Sequence, residues 1–218
     1  MIEKHKVILT CILGLALLSL SAPIWAKYKA RPWNINPREG YPASLASEGV
    51  TIAVEPLFTD ALAARVFDID DMVTRGIMPL AILIFNDNDF PIEVDGLSIQ
   101  LIHGSDRIRT TSPNEVVNRL FRKDSKWISQ PLPRASKSEL NKEALDDFDG
   151  KFLMEKFVGP REKAGGFLYL HIPGTQDLSS YLSESVVYIP NVYRRDTGSR
   201  MIFFEIELRA AIAPASRG

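Results

Sequence analysis

From Val50 the chain alternates. Val50, Ile52 and Val54 are apolar, with Thr51 and Ala53 between them. That period of two belongs to a half-buried strand. Residues 77–86, IMPLAILIFN, are apolar on both faces and predict a central strand. Pro79 is expected at its very start, where no ladder donor is required. After the turn-forming run NDNDFP, Ile92 and Val94 alternate with Glu93 and Asp95. Beyond Gly96 the phase flips to Leu97, Ile99 and Leu101. One extra residue at a glycine predicts a bulge or strand break at Asp95–Gly96. The last third returns to strands, expected at 151–157, 166–172, 186–189 and 200–210. In the last of these, Ile202, Phe204, Ile206 and Leu208 point one way, and Phe203, Glu205 and Glu207 the other.

Helical signals interrupt this pattern. Residues 59–68 suggest a short helix capped by Thr59. In SPNEVVNRLFRK, Ser112 and Glu115 have the spacing of a capping box and Pro113 takes the first helical position. Val116, Val117, Leu120 and Phe121 form its apolar stripe. The spacing predicts a helix near 113–122. A second, near 139–148, starts from a Ser136–Glu139 box, buries Leu140, Ala144, Leu145 and Phe148, and is expected to stop at Gly150. Seven or eight strands with two short inserted helices predict a mainly β, antiparallel β-sandwich, one domain over 49–211 with a tail at 212–218. The β-α-β rhythm with a glycine fingerprint is missing, which argues against a nucleotide-binding parallel sheet.

The N-terminus reads differently. MIEKHK is short and basic, Val7 to Leu20 is an unbroken apolar run, and Ala26 precedes Lys27. This is the order of a signal peptide over 1–26, cut near Ala26. The expected location is extracytoplasmic, periplasmic or secreted. The bulky Ile24 keeps an uncleaved, membrane-anchored form as the alternative. Cys11, the single cysteine, lies inside the apolar run behind Thr10, a poor lipidation context. A chain with one cysteine has no internal disulfide, so its core alone must hold it. Residues 27–48, with Pro32, Pro37 and Pro42, read as an extended arm that Trp33 and Tyr41 pin to the domain. The formal net charge of the 218 residues is −1, and removing a leader with two lysines and one glutamate barely changes it. That balance does not suggest a nucleic-acid partner.

Several stretches invite a chemical reading. Asp196-Thr197-Gly198 spells an aspartic-protease signature. That chemistry needs a second carboxylate sharing one proton, in an apolar setting. Here Arg194 and Arg195 precede the aspartate, and no second such triplet occurs. A hairpin turn is the expectation. NDNDFP and LDDFDGKFLMEK carry acids at alternating positions, but both miss the anchoring ends of a calcium loop. Asp147 and Asp149 read as cap and turn residues, with an acid-based envelope hydrolase as the competing class. Beyond the leader, His103 and His171 are isolated, which does not suit zinc. Ser105 beside His103 is sequence proximity only. Neither a cofactor nor a metal is expected. Tyr193, Arg194, Arg195 and Arg200 remain as a candidate partner-binding patch at a hairpin tip, suited to an envelope protein or an anionic surface component.

The run RGIMPLAILIFNDNDFPIEVDGLSIQLI (75–102) resembles the strand–turn–strand of uncharacterised exported bacterial proteins with an Ig-like β-sandwich. AGGFLYLHIPG and SRMIFFEIEL resemble their final strands. The resemblance implies an Ig-like sandwich and transfers no catalytic residue. Residues 82–94 are also similar to a strand–turn–strand of periplasmic pilus chaperones. The paired basic residues with which those hold a subunit carboxylate have no clear match here. The expected function is a non-catalytic binding or scaffolding module of the cell envelope, with a pilus-chaperone-like assembly factor as an alternative.

Overall fold

The computed structural model describes residues 28–121, 142–172 and 177–212. The leader, Cys11, the Ser136–Glu139 box, Leu140 and the tail beyond Ile212 lie outside them. In chain order the elements begin with β1 (Ser44–Ser47), β2 (Val50–Pro56), α1 (Asp60–Ala63) and β3 (Ile77–Asn86). Next come β4 (Ile92–Asp95), β5 (Gln100–His103), β6 (Asp106–Arg109), α2 (Pro113–Leu120) and α3 (Lys142–Lys151). The chain continues with β7 (Glu155–Val158), β8 (Lys163–His171), α4 (Leu178–Ser183), β9 (Ser185–Arg194), β10 (Arg200–Glu207) and α5 (Arg209–Ile212).

Two antiparallel sheets result. The first runs β1-β2-β3-β8. In the second, β10 pairs one edge of β9, while β4 and β5 pair its other edge in succession; β7 then pairs β4 and β6 pairs β5. Taking β4 and β5 as one broken strand, this is the immunoglobulin arrangement: A, B and E in one sheet, C, F and G in the other. The mainly β sandwich that the pattern predicts, Ig-like as the resemblance implies, is the fold.

The apolar run of β3 is explained by its position between two cores. Met78, Leu80, Ile82 and Ile84 face the second sheet and join Ile52, Val94, Leu168, Val187 and Phe204. Ala81, Leu83 and Phe85 face the other way, into a layer with Phe67, Val117, Phe148, Phe167 and Tyr169. All ten residues of β3 are buried. The strand starts two residues before Pro79, at Ile77, and not at the proline as expected; Pro79 falls just past Leu80, the last residue paired with β2.

The break at Asp95–Gly96 is present as a short 3₁₀ turn, Gly96–Ser98, where the Asp95 carboxylate accepts from the Leu97 amide. Gly96 is required there because a Cβ would lie 1.9 Å from the Leu153 carbonyl oxygen. Ser112 caps α2 by accepting the Glu115 amide, and Thr59 caps α1. Helix α3 continues through Gly150 to Lys151, beyond the expected stop. The Lys151 ammonium binds Asp147 one turn back and the Val66 carbonyl, which keeps that turn helical. The strand expected at 151–157 therefore begins only at Glu155. At the other end, β10 stops at Glu207. Leu208 is fully buried, and Leu182 of α4 lies in the same inner core.

The arm expected at 27–48 is shorter, because Ser44–Ser47 is strand β1 of the first sheet; residues 28–41, which include a 3₁₀ turn at Arg38–Gly40, are fastened along their length. Trp33 packs on Phe167 with ring centroids 4.6 Å apart, and the Tyr41 hydroxyl accepts the Asn36 amide. Arg31 donates to Asp68 and to the Ala64 carbonyl, and Arg38 is bidentate to Asp87. The arm, α1, α2 and α3 together cover the outer face of the first sheet.

Candidate binding face

The second sheet has an outer face too, and none of the described elements packs over it. Its side chains follow from register. Arg200 of β10 pairs Tyr193 of β9, Tyr193 pairs Glu93 of β4, and Glu93 pairs Phe157 of β7. Cross-strand partners share a face. The upper row is therefore Arg200, Tyr193, Glu93, Phe157. A second row reads Glu205, Tyr188, Gln100, Arg109, and a third Glu207, Val186, Ile102, Arg107. Phe203 lies beside Tyr188 at a centroid distance of 6.2 Å. Phe157 is 50% exposed and Phe203 51%, high values for large apolar side chains.

The structure divides the four residues of the candidate patch. Tyr193, Arg195 and Arg200 belong to the outer face. Arg194 pairs Ile92 in register and so leaves β9 on the opposite side from Tyr193, at the solvent-exposed end of the strand, with its guanidinium 3.9 Å from the centroid of the Phe90 ring. It also grips Asp196 through two bonds of 2.7 and 2.9 Å. Arg195 lies over the Phe157 ring, 4.6 Å from its centroid, with Nε 3.5 Å from Glu93. Arg200 donates to the Pro190 carbonyl at 2.9 Å. The guanidiniums do not pool into one cationic cluster, because each has its own acidic or carbonyl partner. Beside them, Glu155 hydrogen-bonds Glu93. Desolvation first, then that bond and the charge of Glu155, push the Glu93 carboxyl above its ordinary value.

The protease-like triplet is an exposed turn between β9 and β10. Gly198 has φ +69°, and its amide returns to the Arg194 carbonyl at 2.8 Å. The bond from Arg194 holds the Asp196 carboxyl below its usual range. Its partner is a guanidinium, whereas a protease dyad needs a second carboxylate.

The acids that looked calcium-like are occupied as well. Asp87 binds Arg38, and Asp89 binds Arg161. The amide of Asn86, 1% exposed, donates to the carbonyls of Phe90, Val158 and Gly159 where the chain crosses between sheets. Asp147 and Asp149 lie within α3, so LDDFDGKFLMEK is not a loop over those residues. Asp147 accepts from Lys151 at 2.6 Å and from the Tyr28 hydroxyl at 2.6 Å. Burial, then the bond to Asp147, push the Tyr28 hydroxyl far above its ordinary value. His103 stacks on Tyr181 at 3.9 Å, with Nδ1 3.3 Å from the Ser185 hydroxyl; His171 sits at the end of β8. Among the described residues, no group of three or more His, Cys, Asp or Glu side chains is placed to hold a metal ion.

The sequence reading missed Tyr188, Glu93, Phe157 and the basic pair Arg107 and Arg109. The alternation of β10 did expose Phe203, Glu205 and Glu207 as one side. What it could not give was which strands lie beside β10.

No protein-family model matches the chain, and no curated protein matches it. Among solved structures it is similar to the crystal structure of the yjhA protein from Bacillus subtilis, at 10% identity and a TM-score of 0.35. The match covers 68% of this chain and 78% of that one. A likeness at that level carries no argument about function.

Proposed function

We propose that the chain is an exported, non-catalytic binding or scaffolding module of the cell envelope, acting through the outer face of its second sheet. One observation carries this reading: the two sheets are treated unequally. The first is roofed by helices and the arm, while on the second no described element roofs two half-exposed phenylalanines and two tyrosines. Aromatic residues and arginine are enriched where protein surfaces meet. The leader-like N-terminus supplies the location. Of the acids that a hydrolase would use, Asp147, Asp149 and Asp196, the first and last are ion-paired, which favours binding over catalysis.

The test is crosslinking in the native envelope with a C-terminally tagged chain. Crosslinked products are expected with the parent chain and are expected to disappear for Phe157→Ser/Phe203→Ser. A control variant, Leu45→Ser on β1 of the first sheet, should retain them. Products that survive the double substitution would place binding elsewhere and sink the proposal.

A further inference from the structure

The charges on the outer face are arranged in a pattern that complements itself. On its β10 side, Arg200 stands at one end and Glu205 and Glu207 toward the other. On the opposite side the signs reverse. Glu155 and Glu93 flank Phe157 at the Arg200 end and outnumber the one cation there, Arg195, which already pairs with Glu93, and Arg109 and Arg107 of β6 complete the rows of Glu205 and Glu207. The face is four strands wide at both ends: β10, β9, β4, β7 at one, and β10, β9, β5, β6 at the other. A twofold axis parallel to the strands, between β9 and the broken β4/β5 strand, lays β10 of one copy over β7 and β6 of another. Arg200 then meets the Phe157–Glu155 end of the partner. Glu205 meets Arg109, and Glu207 meets Arg107. Tyr193 and Tyr188 meet Glu93 and Gln100 near the axis. An isologous contact requires self-complementarity of this kind.

We infer that the partner of this face is a second copy of the chain, packed sheet to sheet about that axis. The inference rests on reading the outer face as the binding surface. Strand spacing and rise give the face roughly 20 by 25 Å. That is less than the ~800 Å² per partner of a standard interface. A face of that size belongs with weak, transient contacts. Exposed charge pairs set the dimer's register and make it sensitive to salt, while Tyr188 and Tyr193 near the axis and Phe157 and Phe203 on the outer strands supply the burial.

The experiment is sedimentation equilibrium on the chain purified from the exported fraction, from about 1 μM to about 1 mM, a range that spans weak association. Two charge-reversed chains are compared with it, Glu205→Lys/Glu207→Lys and Arg107→Glu/Arg109→Glu. All four positions are exposed, and unchanged circular dichroism checks the fold. The parent should dimerise, and about 0.5 M salt should weaken the dimer. Each variant alone should lose at least about 10-fold in affinity, since like charges then face each other on both sides of the axis. An equimolar mixture of the two variants should recover the parent's affinity, because opposite signs face each other again. A monomeric parent across that range overturns the inference, as does a dimer indifferent to both variants or a mixture that fails to recover. If envelope crosslinks still depend on Phe157 and Phe203 in that event, the face binds a different protein or an anionic surface component. The binding proposal then survives without the self-association.

Discussion

Asp147 shows what single carboxylates do in this molecule. Its side chain is 8% exposed and that of its partner Lys151 is 11% exposed, and the Tyr28 hydroxyl completes the cluster. Removing the carboxylate strands a buried ammonium, so Asp147→Ala should cost about 3–5 kcal/mol in urea unfolding. Asp196 is the contrast: its pair with Arg194 stands in solvent. Asp196→Ala should leave the unfolding midpoint unchanged within error. A large stability loss at Asp196, or none at Asp147, would contradict the roles given to them. Asn86 makes the same point for a neutral side chain. Asn86→Ala leaves three carbonyls at the sheet crossover without their donor and should cost about 2–3 kcal/mol, read as a shift of the denaturant midpoint.

The N-terminal arm is an element held by ion pairs as well as by Trp33. Bonds from Arg31 hold the Asp68 carboxyl below its ordinary value, and Arg38 does the same for Asp87. An acid whose folded value is depressed contributes stability that is complete above its unfolded value and is lost as pH falls through the folded one. The window lies below about pH 4. Amide hydrogen exchange in residues 28–41, corrected for intrinsic rates, should therefore quicken at about pH 3 while β3 stays protected. Arg31→Ala/Arg38→Ala should produce the same pattern at pH 7; unchanged exchange in that variant would mean that apolar packing alone holds the arm. None of these pairs was legible in the sequence, because each joins residues far apart in the chain. Local signals were legible: the Ser112 cap, the phase flip at Gly96 and the two-sided burial of β3 all follow from neighbours within a few positions. The same limit explains the candidate patch. Tyr193, Arg194, Arg195 and Arg200 are neighbours in the chain, but strand alternation sends Arg194 to the opposite side from Tyr193. Glu93 and Phe157 arrive from strands that only the fold brings alongside.

At the scale of the whole molecule, stability rests on two apolar layers that share one sheet. The inner layer lies between the sheets, and the outer lies between the first sheet and its roof of helices and arm. Both draw alternate residues from β3. A chain with a single cysteine cannot close a disulfide within itself, so no covalent link makes either layer independent of the other. The two should unfold together, because neither can keep its half of β3 ordered once the other is lost. Phe148 of the outer layer and Phe204 of the inner are both fully buried. Phe148→Ala and Phe204→Ala should each cost about 3–5 kcal/mol. Each should lower the midpoint of a single denaturant transition while leaving its slope unchanged. The check is to follow tryptophan fluorescence, to which Trp33 of the roof contributes, and far-ultraviolet circular dichroism, which follows the sheets, on the same samples. Coincident curves in the parent and both variants support one cooperative unit. A Phe148→Ala chain that loses the fluorescence transition first and keeps its sheet signal would show the roof to be a separable layer over an independently stable sandwich.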